Sequence, residues 1–162
     1  TVIDLLSERE KNLGLFPVGR LDKDTEGLIF LTNNGKLAYE MLSPKKHVDK
    51  LYYAEIEGIV TEGDQIKIQE GITLEDGYKT LPGDLKILDS SNISKIEIKI
   101  FEGKFHQIKR MFLSLGKKVI YLKRISMGTL VLDNSLKPGE YREISKEELN
   151  ELLERIKFKY EF

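Results

Sequence analysis

The sequence predicts an α+β domain with a mixed, largely antiparallel sheet that is flanked by helices and can form two lobes around a central cleft. Strand-like and helix-like segments are interspersed along the 162 residues, but several strands follow one another through short turns, which is typical of antiparallel pairing. A hydrophobic content of 40% is enough for one core in a single domain of this length.

Caps and chain breakers predict the elements of the first half. A short helix begins near Val2 and ends before Gly14, and residues 16–18 are extended. Residues 27–32 form a continuous apolar run before the turn signal Asn33-Asn34-Gly35, which predicts a buried strand. The other predicted elements are a helix over residues 35–42 that Ser43-Pro44 stops, a strand over residues 51–60 and a helix over residues 62–69.

The second half predicts four strands, an amphipathic helix and a terminal helix. Isoleucines alternate with charged residues in residues 93–101, as in a sheet with one wet face, and residues 85–88, 119–122 and 129–132 are further strands. Ser145 and Glu148 form a capping box that starts the terminal helix. The amphipathic helix ends at Gly116, and its apolar residues are all predicted to face the core: Phe105, Ile108, Met111, Phe112 and Leu115.

The composition limits the functions that are open to this chain. Its apolar runs are far shorter than the roughly 20 residues that cross a bilayer, so we expect no membrane association and take the cytoplasm as the default location. The sequence has no Cys and two His residues, His47 and His106, which are too few for a zinc site, so we expect no metal. The net charge of −1 argues against a protein that coats nucleic acid without specificity.

One segment departs from this charge balance. Residues 103–132 contain no Asp or Glu, whereas residues 143–154 carry five glutamates. The first segment predicts a local basic surface, although an ordinary solvated helix face with strand ends is the alternative. Its basic residues are Lys104, Lys109, Arg110, Lys117, Lys118, Lys123 and Arg124.

The most informative stretch is residues 19–28. It places two Gly, an Arg and three acidic residues in a loop that leads directly into the predicted buried strand. Loops held by rigid strands commonly carry function. Composition alone leaves open a plain turn with charged surface residues and a capping Asp.

This stretch, Gly19-Arg-Leu-Asp-Lys-Asp-Thr-Glu-Gly-Leu28, resembles the signature loop of pseudouridine synthases, in the form typical of their ribosomal small-subunit branch. Lys50-Leu-Tyr52 is similar to the family's Lys-x-Tyr motif at the head of a strand. Residues 102–111 resemble its third motif, at a strand-to-helix turn. With further similarity in residues 43–48, 71–74 and 138–142, the resemblance covers nearly the whole chain.

The resemblance implies that the chain isomerises uridine to pseudouridine in RNA without a cofactor. The bond from ribose to N1 breaks, the uracil rotates, and C5 joins the ribose, so the detached base must be held. Asp22 is the implied nucleophile, which attacks ribose C1′ or uracil C6 or assists a glycal route. Lys109 matches the basic residue that pairs with the family's aspartate and would keep Asp22 ionised, with a phosphate-binding or exposed helix Lys as the alternative.

Two further residues contact the target nucleotide in this interpretation. Tyr52 stacks on the uracil and helps to remove the C5 proton, whereas a half-buried strand aromatic of the core is the alternative. The nucleotide must be flipped out of its stack. Arg20 then fills the vacated space, anchors a phosphate, or caps the loop through carbonyl contacts.

The remaining site predictions concern charge around the cleft. Asp24, Thr25 and Glu26 are predicted to shape the loop, and a paired-carboxylate hydrolase built on Asp22 and Glu26 is the rival use. His106 either contacts RNA or holds the turn of the third motif. The predicted RNA contacts, each with a solvated surface residue as the alternative, are Arg20, Lys50, Lys104, His106, Arg110, Lys123 and Arg124.

The resemblance also implies a partner and a domain assignment. The substrate is one uridine of 16S rRNA in an assembling small subunit, and the enzyme is a monomer. Large-subunit rRNA, tRNA and a catalytically idle RNA-binding module remain alternatives. Residues 1–162 are interpreted as a catalytic domain that opens after the S4-like RNA-binding module and the first strand of its relatives. We therefore expect an exposed sheet edge and weak RNA binding.

Overall fold

The structure, a computed structural model, describes residues 1–158. The strands of its main sheet are, in spatial order, β2 (Glu26–Gly27), β7 (Lys118–Met127), β4 (Lys50–Glu57), β6 (Ile93–Ile100) and β5 (Asp84–Asp89), with the short β8 (Leu130–Val131) beside β7. β2 runs parallel to β7, whereas the other pairs are antiparallel. A separate antiparallel pair joins β1 (Phe16–Pro17) to β3 (Leu31–Thr32). The predicted mixed, largely antiparallel sheet is confirmed.

Helices flank this sheet, and three of them follow the predicted boundaries closely. They are α2 (Gly35–Leu42), α3 (Glu62–Glu70) and α5 (Lys146–Arg155), whereas α1 (Glu8–Lys11) and α4 (Gln107–Ser114) differ from prediction. In α5 the Ser145 hydroxyl accepts from the Glu148 N–H, and the Glu148 carboxylate accepts from the Ser145 N–H, so the predicted capping box is confirmed. None of the helices within residues 1–158 is long and apolar enough to span a membrane.

Two clusters of buried apolar side chains stabilise the fold. The first cluster packs α3 and α4 against the sheet, with Phe112 and Ile98 fully buried. The second cluster packs α2 and α5 around β8, with Met41 and Leu152 fully buried. β7 passes through both, because its Leu122 belongs to the first cluster and its Met127 to the second. The cleft lies between the two clusters.

The single N-terminal helix predicted before Gly14 is wrong. The chain forms a 3-10 helix over Val2–Leu5, becomes extended at Leu6, and starts again as α1. The Ser7 side chain accepts from the Glu10 N–H at 3.5 Å, which caps a new helix instead of continuing the first one.

The continuous buried strand predicted over residues 27–32 is also wrong. Its two ends belong to different sheets, since β2 pairs with β7 and β3 pairs with β1. Gly27 has φ +108°, a conformation that L side chains rarely adopt, and it turns the chain between the two pairings. Asp22 therefore precedes a two-residue strand and not a long core strand.

The strand predicted over residues 119–122 continues to Met127 as the ten-residue β7. Lys123, Arg124 and Ser126 interrupt the apolar pattern, yet Arg124 and Ser126 are buried. Arg124 is accommodated because its Nε donates to the Leu28 carbonyl at 2.8 Å.

The prediction that Phe105 faces the core is wrong as well. α4 begins two residues later, at Gln107, because His106 has a left-handed backbone conformation with φ 47°. Phe105 is 76% exposed, whereas Ile108, Met111 and Phe112 are buried as predicted.

Candidate active site

A cavity of about 400 Å³ opens between the two clusters. Its floor carries Tyr52 from β4 and Arg124 from β7, which face each other across the strand pair. One wall is the loop over residues 19–25, and the opposite wall is the turn over residues 102–107. The three stretches that carry the sequence motifs therefore meet at one cavity.

Asp22 lies on the first wall, with its side chain 26% exposed. Its Oδ2 is 3.5 Å from Lys109 Nζ, and its Oδ1 is 3.6 Å from His106 Nε2. Lys109 follows His106 by three positions, the spacing that brings two side chains to one face of a helix start. Both separations exceed ordinary hydrogen-bond lengths, so Lys109 attracts the carboxylate and neither side chain occupies its lone pairs.

The loop that carries Asp22 is closed by a turn and attached to β7 just after its end. The Thr25 N–H donates to the Asp22 carbonyl at 2.9 Å, which closes a turn. The Leu28 N–H donates to the Arg124 carbonyl at 2.9 Å, and the Arg124 side chain returns a bond to the Leu28 carbonyl. This reciprocal pair ties the loop to β7 and thereby positions Asp22.

Tyr52 is half-buried on the cavity floor. Burial raises the pKa of its phenol, and the positive charge of Arg124 beside it offsets part of that rise. The phenol is therefore protonated at neutral pH.

We expect this raised pKa of Tyr52 to make stability depend on pH in the alkaline range. The pKa of an unfolded tyrosine is about 10, so the stability contributed by the neutral phenol is complete below that pH and is lost as the pH rises through the higher folded value. Denaturant titrations from about pH 9 to about pH 11 should show a steeper loss of unfolding free energy for the unmodified chain than for Tyr52→Phe. Equal slopes for the two proteins would contradict this expectation.

Two cations lie on the cavity floor beside Tyr52. Arg124 is 2% exposed, and its Nη2 is buried with no hydrogen-bond partner among the described residues. Burial, and next the nearby charge of Arg124, lower the pKa of Lys50. Thr25 Oγ1 on the adjacent wall is likewise buried and unpaired within residues 1–158. Buried polar atoms are normally bonded, so these groups are suited to a bound ligand.

A network around Glu102 holds the opposite wall. Its carboxylate accepts from the Tyr78 hydroxyl, from the Leu81 N–H at 2.6 Å and from Gln107 Nε2 at 3.1 Å. The bond to Glu102 raises the pKa of Tyr78 to about 12. None of these residues was predicted from the sequence as a site residue. Glu102 could have been found as the first residue of the third motif, whereas no local pattern distinguishes Tyr78.

The predicted RNA contacts separate into three groups. Arg20, Lys50, Lys104 and His106 line the cavity, and Lys104 Nζ lies 4.8 Å from the centre of the Tyr78 ring. Arg124 is a buried floor residue and does not belong to an exposed surface.

The structure does not bring the other two predicted contacts to the cavity. Arg110 is held by Glu75 at 2.6 Å and Asp76 at 2.8 Å. Lys123 alternates with Arg124 and so lies on the opposite face of the sheet, near Tyr121. Arg110 and Lys123 therefore do not line the cavity, and their contact with RNA stays a prediction.

The geometry does not support a hydrolase built on the paired carboxylates of Asp22 and Glu26. Glu26 accepts from the Tyr121 hydroxyl at 2.9 Å on the outer face of the sheet and does not line the cavity. Among residues 1–158, no three or more His, Asp or Glu side chains converge as a metal site requires.

Comparison with known proteins identifies the family. The family described as RNA pseudouridylate synthase matches residues 1–114. The chain belongs to this family. A solved pseudouridylate synthase has the same fold, with a TM-score of 0.88 and 38% identity over 94% of this chain and 65% of that one.

Curated relatives in the pseudouridine synthase family cover most of the chain. An uncharacterized RNA pseudouridine synthase of Bacillus subtilis is 49% identical over 95% of this chain and 65% of its own length. Ribosomal small subunit pseudouridine synthase A of Haemophilus influenzae is 41% identical over 86% of this chain and 59% of its own length. Ribosomal large subunit pseudouridine synthase B of Bacillus subtilis is 40% identical over 85% of this chain and 57% of its own length. The chain thus spans less than two thirds of these relatives.

Proposed function

We propose that residues 1–162 form the catalytic domain of an RNA pseudouridine synthase in which Asp22 is the nucleophile. One observation carries the proposal: the Asp22 carboxylate lies in a cavity wall between Lys109 and His106, opposite a floor that contains Tyr52. A single ionised carboxylate beside an aromatic surface is what nucleophilic capture of a nucleotide requires. The same arrangement favours an enzyme over an idle RNA-binding module.

The cavity suits one nucleotide that has left its stack. Its volume of about 400 Å³ is within the range of small-molecule sites and too small for a base pair in a duplex. The target uridine therefore flips in, at a cost of a few kcal/mol that is smaller for looped RNA. Arg20, exposed at the edge of this cavity, is positioned to fill the space that the base leaves or to bind a flanking phosphate.

The reaction moves the glycosidic bond from N1 to C5. Asp22 attacks C1′ or C6, or assists a glycal route, and the N1–C1′ electron pair leaves with the uracil. The detached uracil carries negative charge, which Arg124 Nη2 and Lys50 on the floor stabilise. The base rotates and C5 bonds to C1′ while the bond from C1′ or C6 to Asp22 breaks and releases the carboxylate. The C5 proton then departs and N1 gains a proton, so atoms and charge balance.

Tyr52 supports this sequence mainly as a surface. Its ring can stack on the uracil while the base turns, because stacking tolerates rotation about the ring normal. The raised pKa keeps the hydroxyl protonated, so the group acts as a hydrogen-bond donor before it acts as a proton acceptor. Proton removal from C5 by Tyr52 then requires prior transfer of its own proton.

For the substrate we favour a single uridine of 16S rRNA within a small-subunit particle, acted on in the cytoplasm by a monomer. The small-subunit form of the signature loop and the Haemophilus influenzae relative support this choice. The large-subunit relative is almost equally similar, so large-subunit rRNA is the second candidate.

Chemical mapping of pseudouridine tests both the activity and the substrate. Unmodified small-subunit particles, large-subunit rRNA and tRNA are each incubated with the protein, with a heat-denatured sample as the control. We expect one new pseudouridine in 16S rRNA. Modification confined to large-subunit rRNA or tRNA would overturn the substrate assignment, and no modification in any of the three would overturn the activity.

A further inference from the structure

The side chain that departs furthest from its predicted burial lies beside the candidate nucleophile. Phe105 is the most exposed large apolar residue of the described chain, at 76%. Its ring is stacked on the His106 ring with 3.9 Å between centroids and 13° between planes. His106 Nε2 is in turn 3.6 Å from Asp22 Oδ1. The His106 ring therefore lies next to Asp22, and the Phe105 ring covers His106 on its solvent-exposed side.

Three contacts fix the backbone beneath this pair of rings. Arg110 Nη1 donates to the Phe105 carbonyl at 2.8 Å, and the same guanidinium is held by Glu75 and Asp76. The Lys104 N–H donates to Gln107 Oε1, and the Gln107 N–H donates to the Lys104 carbonyl. The turn is thus ordered before any ligand binds, which lowers the entropic cost of binding to the exposed ring.

The left-handed His106 explains why the Phe105 ring lies outside the core. In that conformation the chain enters α4 only at Gln107, so the side chain before His106 leaves the buried stripe of the helix. A left-handed backbone is strained in a residue other than Gly, and such strain is concentrated at functional sites. The strained turn presents one face of Phe105 to solvent and packs the other on His106.

We propose that Phe105, backed by His106, is a stacking site for the base of a nucleotide adjacent to the target uridine. The inference rests on the proposed function, because a nucleotide bound at Asp22 carries its chain neighbours to the rim. An exposed aromatic face stacks on any base, and Glu75 and Asp76 beside this turn are each paired with the Arg110 guanidinium, which offsets their repulsion of the RNA backbone. The site selects unpaired RNA and not a particular base.

Activity measurements test this site on the RNA that the wild-type protein modifies. Phe105→Ala should raise KM by about tenfold to a hundredfold with little change in kcat, and Phe105→Tyr should restore the wild-type value. Leu113→Ala is the matched control, because Leu113 is also an exposed apolar residue of the same segment, at 63%, and should leave KM unchanged. A KM for Phe105→Ala equal to that of the wild type would overturn the proposal.

RNA in which one nucleotide lacks its base distinguishes stacking on Phe105 from a non-specific effect of changing the protein surface. When the nucleotide on one side of the uridine is made abasic, wild type and Phe105→Ala should have the same KM. A difference that persists with abasic sites on both sides would overturn the proposal.

Fluorescence gives a readout that does not depend on catalysis. The sequence has no Trp, so Phe105→Trp introduces a single reporter. Short single-stranded oligouridine should quench this reporter, whereas an abasic strand of equal length should not, and Leu113→Trp should respond to neither. Equal quenching by both strands overturns the stacking site. Failure of the wild type to form pseudouridine, with base-dependent quenching intact, instead overturns the proposed function.

Discussion

Asp22→Asn is expected to lower the rate of pseudouridine formation by at least roughly 10⁴-fold, the scale seen when a catalytic nucleophile is removed. The amide keeps the size of the carboxylate but has no negative charge, and its oxygen is a much weaker nucleophile. Lys109 then faces a neutral group, so the variant also loses the charge attraction at 3.5 Å. Chemical mapping of pseudouridine after single-turnover incubation measures the rate.

The matched control for this variant is Asp24→Asn. Asp24 is an exposed acid of the same loop, so the substitution makes the same chemical change two positions away and should keep most of the activity. Both variants should show the circular dichroism spectrum of the unmodified chain. If Asp22→Asn retained more than about one hundredth of the wild-type rate, another group would be the nucleophile.

Gly27→Ala is expected to lower the free energy of unfolding by more than about 3 kcal/mol and to reduce activity with it. A Cβ at this position would lie 2.2 Å from the Arg124 carbonyl oxygen and 2.6 Å from its nitrogen. These are backbone atoms of a central strand and cannot move aside. β2 must therefore separate from β7, which breaks the reciprocal bonds between Leu28 and Arg124 and releases the loop that carries Asp22. Denaturant unfolding measures the stability change.

Gly77→Ala separates the two causes of this expected loss. Gly77 has a similar φ of +89°, against +108° for Gly27, but no atom lies within 4 Å of an added Cβ. Its substitution should cost about 1–2 kcal/mol, the backbone contribution alone. Similar losses of unfolding free energy in the two variants would show that the close approach to β7 contributes little.

The elements that were predicted correctly are those whose limits depend on neighbouring residues. α2 begins where the Asn34 side chain accepts from the Leu37 N–H and ends where Ser43-Pro44 follows. α5 begins at a capping box that spans Ser145 and Glu148. Such contacts join residues three or four positions apart, so they can be read from a short window of sequence.

Two of the incorrect predictions, for residues 27–32 and for β7, concern strands whose limits depend on distant partners. β7 continues through Arg124 because that side chain bonds to Leu28, 96 positions earlier in the chain. The strand near Gly27 is cut in two for the same reason, since one half follows β7 and the other follows β1. Such pairings cannot be read from a hydrophobic pattern. The predicted strand over residues 119–122 was therefore shorter than β7, and the predicted strand over residues 27–32 was too long.

The candidate site shows the same division. Asp22, Tyr52 and Lys109 were predicted because each lies in a short run that resembles a family motif, and the structure brings all three to one cleft. The position of Lys123 on the outer face follows only from the register of β7 with β4. A count of basic residues in a segment could not distinguish it from Lys104, which reaches the cleft.

The distance between Lys109 and Asp22 depends on how the two clusters of buried side chains are placed relative to each other. Lys109 belongs to α4, whose neighbouring residues pack in the first cluster, whereas the loop of Asp22 lies between Val18 and Phe30 of the second cluster. β7 contributes side chains to both clusters and so holds them at a fixed spacing. A substitution that leaves a cavity in either cluster should therefore change the position of Lys109 relative to Asp22 as well as the free energy of unfolding. We therefore expect the rate of the proposed reaction to depend on how closely these buried apolar residues pack.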